Sequence, residues 1–213
     1  MERRPVTNMI SYAVTVCNES RELERLLCLL KAHLREGDEV VVQADATNVT
    51  EEVRQVVKRY AYTINCYVEY PLNFDFARFK NHLNEQCTGE YIFQLDADEM
   101  PSEWLLDHLR DIVRKYRWVG LFKLPRINLF DESEERVSWP DYQGRIYKNR
   151  PGRIRWHRPL HERIRGHWLY WHLPKDDKYA LLHHKQKKAD TAKWQEWKRQ
   201  KEEQSQQTEQ AAE

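Results

Sequence analysis

Three carboxylates fall within four positions of the stretch YIFQLDADEM, directly after a short apolar run. The run before Asp96, Asp98 and Glu99 is typical of a buried β-strand. Like charges at this spacing repel and lose hydration when covered, so they need either a bound cation or a turn that exposes them to water. Alternate residues of a strand point to the same side, which would let Asp96 and Asp98 reach one ion. Carboxylate oxygens suit Mg²⁺ or Mn²⁺, and the pattern therefore suggests a divalent-metal site.

The first half of the chain alternates between strand and helix patterns. Short apolar runs predict strands at residues 9–16, 39–43, 64–68 and 91–95. Apolar residues at helical spacing predict a helix after each strand, beginning near Ser20, Thr50, Phe76 and Ser102. This alternation predicts an α/β fold with a mostly parallel central sheet flanked by helices, whose ligands bind beyond the carboxyl ends of the strands. Both Asp45 and the acidic cluster follow such ends.

The second half of the chain lacks this alternation of strand and helix patterns. After residue 119, short aromatic and arginine-rich segments predict hairpins and irregular loops, or an extension of the sheet. From residue 185 the sequence is polar and lacks glycine and proline, which predicts a loosely docked helix around Trp194 and Trp197. We therefore expect one domain at residues 1–184 and a polar C-terminal helix or tail at residues 185–213.

Composition excludes several classes of protein. The 213 residues have a net charge of +1, which predicts no general attraction to polyanions, and no apolar run approaches the length of a membrane span. Six glycines cannot build a Walker A loop or a GxGxxG turn, which excludes P-loop NTPases and ordinary dinucleotide oxidoreductases. The four cysteines show no paired spacing and no signal peptide is evident, so we expect reduced thiols in a soluble cytoplasmic protein.

A basic stretch runs from Arg145 to Arg165, where eight residues are Lys or Arg and only Glu162 is acidic. Three interpretations are open. The stretch could be a solvated basic face, a pocket wall that neutralises a diphosphate or anionic acceptor, or a nucleic-acid surface with stacking aromatics. The balanced net charge and the absence of a known nucleic-acid-binding motif disfavour the third interpretation.

Two pairs of neighbouring residues that contain histidine are candidates for metal binding. His161 precedes Glu162 in PLHERI, and His183-His184 follow the apolar residues 180–182. A neutral imidazole can complete a carboxylate metal site, but an isolated histidine is more often a structural residue with satisfied hydrogen bonds.

The segment NFDFARFKNHL raises a similar choice at the predicted helix start. Asp75, Arg78, Lys80 and Asn81 describe either a capped amphipathic helix with a solvated face or a set of contacts to a nucleotide sugar or phosphate.

Taken in order, six stretches resemble the family-2-like glycosyltransferases of the GT-A fold, and within them the subgroup that adds sugars to the lipopolysaccharide inner core. These stretches are YAVTVCNES, VVVQADATNVT, FDFARFKNHLNEQCTGEYIFQLDADEM, PDYQGRIYKN, PLHERI and ALLHH. The resemblance runs from about residue 10 to residue 184 and implies the GT-A fold. Small enzymes of this kind are also encoded by large algal viruses, where they decorate capsid glycans in the host cytoplasm.

The resemblance also implies residue roles. Asp96 and Asp98 match the DxD motif, whose divalent ion bridges the two phosphates of the donor and acts as a Lewis acid. Asp98 is expected to be the direct metal ligand, Asp96 a second one that lies nearer the ribose, and His183 the last ligand. Donor contacts are expected from the positions matching the first loop, the base-binding loop and the ARN element: Thr15, Asn18, Glu19, Asp45, Arg78 and Asn81. ADATNV departs from the usual acidic, Gly-Ser-rich loop, so base specificity is open, with UDP as the default.

The catalytic base is a separate question. An inverting transfer needs a carboxylate that deprotonates the acceptor hydroxyl as it attacks the anomeric carbon. Asp141 in PDYQ is the first candidate and Glu162 the second. Alternatively, Asp141 is a turn residue after Pro140 and Glu162 pairs with a nearby arginine, and a retaining enzyme would need no such base.

The sequence thus predicts a metal-dependent glycosyltransferase that uses Mn²⁺ or Mg²⁺ and moves a hexose from a UDP-sugar, with UDP-glucose as the expected donor. Its acceptor would be a glycan or glycoprotein, and no nucleic acid is expected as a partner. Two alternatives are another nucleotide-sugar enzyme, such as a nucleotidyltransferase, and a non-catalytic basic domain that binds nucleic acid or an anionic glycan. Loss of activity in Asp98→Ala would separate the enzymes from the binding domain.

Overall fold

The protein is described by a computed structural model that covers residues 9–130, 136–185 and 199. The strands are β1 Ile10–Val16, β2 Glu39–Asp45, β3 Cys66–Tyr70, β4 Tyr91–Asp96, β5 Glu99–Pro101, β6 Leu121–Phe130, β7 Val137–Lys148, β8 Arg155–His157, β9 Arg163–Arg165, β10 Tyr170–His172 and β11 Leu181–Lys185. The helices are α1 Ser20–His33, α2 Glu51–Arg59, α3 Phe76–Glu85 and α4 Glu103–Lys115, with a 3₁₀ turn at Asp177–Tyr179. The helix predicted around Trp194 and Trp197 lies outside the described residues.

One nine-stranded sheet organises the described part of the chain. Its order is β3-β2-β1-β4-β7-β6-β11-β5, and β10 pairs with the beginning of β6. Strands β1 to β4 are parallel, whereas β7 runs antiparallel to both β4 and β6. Thr15 of β1 pairs with Gln43 of β2 and with Asp96 of β4, so the three carboxyl ends meet at one edge of the sheet.

Both faces of the sheet are covered. Helices α1, α2 and α4 contribute leucines and valines to the larger core, together with the alternate side chains of β1, β2 and β4. Helix α3 and the β8–β9 hairpin cover the other face, where Trp156 and Ile164 pack with Leu83 and Tyr147. Side-chain caps begin three of the helices and satisfy backbone N–H groups that lack helical partners, at Thr50, Asp75 and Ser102.

The predicted α/β alternation of the first half is confirmed, with the third strand two residues later than expected. Two differences concern the site. Strand β4 ends at Asp96, so Asp98 lies in a turn, and the same-side argument for a strand does not apply to it. Glu99 then begins β5, a short strand that pairs with β11 and had no signal in the local sequence. Within the described residues, no helix is long and apolar enough to cross a membrane.

Candidate active site

A cavity of about 450 Å³ opens at the carboxyl ends of β1, β2 and β4. Helix α3, strands β6 and β11, and the loop of residues 158–162 between β8 and β9 complete its wall. Seven of the predicted site residues line it: Thr15, Glu19, Asp45, Asp96, Asp98, Glu162 and His183. Four others do not: Asn18, Arg78, Asn81 and Asp141.

Asp96 is held by donors from three other elements. Thr15 Oγ1 donates to Oδ1 over 2.7 Å, Lys80 Nζ lies 3.1 Å from the same oxygen, and Arg145 Nη2 donates to Oδ2 over 2.7 Å. Burial alone would raise the pKa of Asp96, but the charges of Arg145 and Lys80 hold that pKa well below its usual range. The carboxylate is therefore ionised at neutral pH, and both oxygens are engaged by protein groups.

Asp98 faces His183 instead. Its Oδ2 lies 3.1 Å from His183 Nε2, and the opposite ring nitrogen, Nδ1, lies 3.1 Å from Asn128 Oδ1. Asn128 donates its amide N–H to Asp141 over 3.0 Å, which turns its oxygen toward the imidazole and assigns the imidazole proton to Nδ1. In a neutral imidazole this leaves the Nε2 lone pair facing a carboxylate oxygen, an arrangement that favours a cation between them.

The Asp98 oxygen and the His183 nitrogen fit two coordination positions of a divalent ion. Adjacent ligands of an octahedral ion at about 2.1 Å are about 3.0 Å apart, close to the 3.1 Å between Asp98 Oδ2 and His183 Nε2. No group of three or more His, Cys, Asp or Glu side chains with metal-binding geometry occurs among the residues that the structure describes. Substrate oxygens and water would fill the remaining positions, as is usual for Mg²⁺.

Glu99, the third carboxylate of the cluster, is fully buried. Arg126 Nη1 donates to its Oε1 over 2.9 Å, and Arg145 Nη2 donates to the same oxygen over 2.5 Å. Its charge is thereby compensated by protein groups, and it fixes the guanidinium groups of Arg145 and of Arg126, which lines the cavity. The three carboxylates predicted as one cluster therefore have three different environments.

Comparison with known proteins identifies the family. The sequence model of glycosyl transferase family 2 matches residues 11–174. The chain belongs to this family. A search of curated proteins finds no match. Among solved structures, S. aureus TarS residues 1–349 in complex with UDP-GlcNAc superposes with a TM-score of 0.62 at 16% identity, covering 83% of this chain and 58% of TarS 1–349.

A second structure, of S. aureus TarS, has the same TM-score and identity, and its match covers 83% of this chain and 37% of that one. The family 2 chain thus spans less than two thirds of the length of these relatives. The GT-A fold and the mostly parallel central sheet predicted from the sequence are confirmed, and the sheet is a mixed one whose core strands are parallel.

Asp141, the first candidate for the catalytic base of this family 2 chain, lies outside the cavity lining. Its Oδ2 accepts hydrogen bonds from Arg126 and Asn128, and its Oδ1 accepts one from Gln143. Burial would raise the pKa of Asp141, but the bond from Asn128 and the charge of Arg126 lower it below its usual range. A base needs a free oxygen near the substrate, so the structure favours a structural role for Asp141.

We expect Asp141→Asn to destabilise the protein by about 1–3 kcal/mol at neutral pH, because Arg126 and Asn128 lose a charged acceptor. The native pKa of Asp141 lies below the unfolded value, so its stabilisation is present above the unfolded pKa and disappears as the pH falls through the native one. The difference from wild type should therefore shrink in acid. Urea unfolding at several pH values measures this, and an equal difference at every pH would contradict it.

Glu162, the second candidate, lines the cavity from the loop between β8 and β9. The positive partner of its carboxylate is Lys80, whose Nζ donates to Oε1 over 2.8 Å, rather than an arginine. The same loop holds two non-glycine residues at positive φ, Arg158 at 77° and His161 at 52°. Such strain needs support from its surroundings and is concentrated at functional sites.

Lys80 was named in the sequence with Asp75, Arg78 and Asn81 at the start of the fourth helix, but it was given no role of its own among the predicted site residues. Its side chain is only 3% exposed, lies between Asp96 and Glu162, and has its ammonium 4.9 Å from the ring centre of Trp156. A weak signal was present, because Lys80 stands four residues after Phe76 and three before Leu83, on the apolar side of the predicted helix. Arg126, on β6, also lines the cavity and was not predicted.

The residues matching the ARN element lie away from the cavity. Arg78 is exposed, and its guanidinium lies 5.7 Å from the ring centre of Tyr70. Asn81 exchanges two hydrogen bonds of 2.9 Å with the backbone of Trp156, which fixes the β8–β9 hairpin against α3. In this structure Asn81 therefore positions the hairpin whose loop carries Glu162.

The predicted nucleotide-contacting loops are ordered by their own carboxylates. Asp45 is 2% exposed, accepts from the backbone N–H of Leu72 over 3.0 Å and from the side chain of Asn48 over 2.7 Å. Glu19 Oε2 accepts from the backbone N–H groups of Cys17 and of the exposed Asn18, over 2.9 and 3.0 Å. Both carboxylates thus shape loops at the cavity mouth.

Proposed function

We propose that the protein transfers a hexose from a UDP-sugar, with UDP-glucose as the expected donor, to a glycan or glycoconjugate acceptor with the help of Mn²⁺ or Mg²⁺. The observation that carries this proposal is the Asp98–His183 pair at the carboxyl-end cavity of a family 2 chain. Solved structures of TarS, which share the fold, contain UDP-GlcNAc or UDP. This supports a uridine nucleotide as the first ligand to test.

Asp98 and His183 would hold the divalent ion, which supplies positive charge for the donor diphosphate and its departing UDP. Lys80 and Arg126 add two cationic side chains to the wall of the same cavity. The site thereby combines positive charge with a volume of about 450 Å³, which suits a small-molecule ligand. Asp45 and Glu19 hold the loops at which we place the nucleoside.

For the acceptor, we propose Glu162 as the general base of an inverting transfer. Lys80 fixes Oε1 of this carboxylate, and the carboxylate lines the cavity. A positioned carboxylate can take the hydroxyl proton during attack on the anomeric carbon. Lys80 contacts Asp96 as well, so one buried ammonium orients the proposed base and one carboxylate of the DxD motif together.

Titration calorimetry of UDP into the protein, with and without Mn²⁺, tests the proposal. We expect binding that requires the ion and is lost in Asp98→Asn, but is retained in Asp111→Asn, a matched change at an exposed carboxylate of α4 that pairs with Arg114. Titrations with GDP and CMP test whether the unusual base loop selects another nucleotide. Failure of all three nucleotides to bind with Mn²⁺ would overturn the proposed function.

Asn128→Leu is expected to lower Mn²⁺ affinity about 10- to 100-fold, because the hydrogen bond that orients His183 and fixes its tautomer is lost. Electron paramagnetic resonance of free Mn²⁺ measures the affinity without any turnover. Asn84→Leu is the matched control, because it removes one side-chain hydrogen bond, from Tyr147, away from the cavity. Asn149→Leu is less suitable, since Asn149 donates hydrogen bonds to the backbone of Cys87 and Gly89. Equal affinities in Asn128→Leu and wild type would contradict the assigned tautomer.

The proposal also covers the location of the protein in the cell and the limits of its catalytic domain. We propose a cytoplasmic protein, in the host cytoplasm if it is encoded by a virus and glycosylates capsid proteins, and its four free cysteines are compatible with a reducing compartment. A catalytic domain at residues 1–184 is supported by the family match to residue 174 and by β11, which ends at Lys185. Residues 185–213 would form the polar C-terminal extension.

A further inference from the structure

The β8–β9 hairpin has one apolar and one cationic face. Trp156 and Ile164 pair across the strands and are buried against the core. On the other face Arg155 pairs with Arg165, and His157 pairs with Arg163, all of them exposed. Like charges directly opposite each other destabilise a strand pair. Within the described residues, no carboxylate forms an ion pair with any of these three arginines, so the face lacks a compensating anion.

Large apolar side chains are exposed at two other places in the sequence, at residue 118 and at residues 168–171. Five of them are between 41% and 56% exposed: Trp118, Trp168, Leu169, Tyr170 and Trp171. They are held in place rather than scattered, since Trp168 Nε1 donates to the carbonyl oxygen of Trp118 over 2.6 Å and Trp171 stacks on Tyr116 with 5.6 Å between ring centres. Clustered exposed aromatic side chains of this kind mark an interaction site.

Arg153 and Lys148 join the two features. Each has its charged group 5.4 Å from the ring centre of Trp168. Gly166, at a φ of 85°, lets the chain pass the backbone of Arg153 so closely that an added Cβ would lie 1.7 Å from its carbonyl oxygen. We call the combined set the basic–aromatic surface; it comprises Lys148, Arg153, Arg155, Arg163, Arg165, Trp168 and Tyr170.

We propose that the basic–aromatic surface binds the anionic headgroup layer of a phospholipid bilayer. Tryptophan and tyrosine side chains prefer the membrane interface, where the ring is covered and the polar group stays hydrated. Lysine and arginine are attracted to anionic lipids at the same depth. The inference goes beyond the proposed function, because it concerns where the protein is held rather than what it transfers.

The ring contacts favour lipid over nucleic acid. Stacking with bases needs free aromatic faces, but Trp168 lies beneath Lys148 and Arg153, and Tyr170 has Lys123 Nζ 4.6 Å from its ring centre. Trp171 is already stacked on Tyr116. The cations cover ring faces of Trp168 and Tyr170 and leave the ring edges accessible. Such edges beside cations suit insertion between lipid headgroups.

The surface also adjoins the cavity. Leu160, His161 and Glu162 belong to the loop of the same hairpin and line the cavity wall. Bilayer contact through this hairpin would therefore hold the cavity near the membrane surface.

Vesicle sedimentation of the full chain tests the proposal. We expect binding to vesicles of phosphatidylcholine mixed with phosphatidylglycerol, weak binding to phosphatidylcholine alone, and weakening with added salt, because screening reduces the attraction of exposed charges. Tryptophan emission should shift to shorter wavelength on binding. No sedimentation with the anionic vesicles, or equal sedimentation with both kinds, would overturn the proposal.

Two paired variants separate the contributions. Arg155→Ser with Arg165→Ser should lower the partition coefficient about 30-fold, at about fivefold for each arginine, whereas Arg25→Ser with Lys31→Ser on the exposed side of α1 should leave it unchanged. Trp168→Ser with Tyr170→Ser should abolish the emission shift, while Tyr62→Ser, at another exposed aromatic residue, should not. Circular dichroism checks that each variant is folded.

Two further outcomes would assign the surface to another partner. Tighter binding of a single-stranded oligonucleotide than of vesicles, lost in the arginine variant, would overturn the lipid proposal in favour of nucleic acid. A dimer in solution that dissociates in the aromatic variant, without vesicle binding by wild type, would make the surface a contact between copies. The UDP titration contains no lipid, so it succeeds or fails independently of these results.

Discussion

Asp98→Asn is expected to lower kcat/KM for UDP-glucose by about 10³-fold or more and to remove the dependence of UDP binding on Mn²⁺. The amide keeps the size of the side chain but removes the negative charge that faces His183 Nε2. A bound divalent ion contributes several kcal/mol to a reaction that develops charge on a phosphate, and each 1.36 kcal/mol is a tenfold change in rate. Hydrolysis of UDP-glucose with varied Mn²⁺ gives the rate, and calorimetry gives the binding.

The control and the contradictory result for Asp98 follow from its neighbours. Asp98 is partly exposed, and among the described residues its side chain pairs with His183 alone, so its replacement should leave the free energy of unfolding nearly unchanged. Asp96→Asn is a different test, because Asp96 compensates Lys80 and Arg145, and its loss should lower stability as well as activity. If Asp98→Asn retains Mn²⁺-dependent binding of UDP, the ion is held elsewhere and the Asp98–His183 site is disproved.

The fold of the first half could be predicted because its signals are local. Apolar periods distinguish strands from helices over windows of ten residues or so, and caps such as Thr50 and Ser102 begin the helices where the pattern indicated. The carboxyl ends of β1, β2 and β4 then had to meet, which brought Asp45 and Asp96 to one edge. Strand β5 was missed because it is only three residues long and exists through its pairing with β11.

The chemistry within the cluster could not be predicted, because it depends on distant residues. Asp96 and Glu99 are compensated by Arg145, which is 49 and 46 positions away in the chain. Nothing in DADE shows which carboxylate will meet that guanidinium and which will face His183. Asp141 was preferred over Glu162 on motif similarity alone, and only the three-dimensional structure reveals that both of its carboxylate oxygens already accept hydrogen bonds from the protein.

Glu162→Gln is expected to lower kcat about 10²- to 10⁴-fold, the usual contribution of a general base, while UDP and Mn²⁺ binding stay close to wild type. Glutamine keeps an oxygen that can accept the hydrogen bond from Lys80 but cannot take the acceptor proton. Because nucleotide binding is measured without turnover, a loss confined to kcat separates a role in proton transfer from a role in binding the donor.

Asp141→Asn is the matched control for Glu162→Gln, since both change a carboxylate near the site to its amide. A base at Glu162 predicts a large loss of kcat in Glu162→Gln and a loss mainly of stability in Asp141→Asn. The reverse pattern would return the base to Asp141 despite its contacts with Arg126 and Asn128. If both variants keep wild-type rates, neither carboxylate is the base, and the proposed role of Glu162 is disproved.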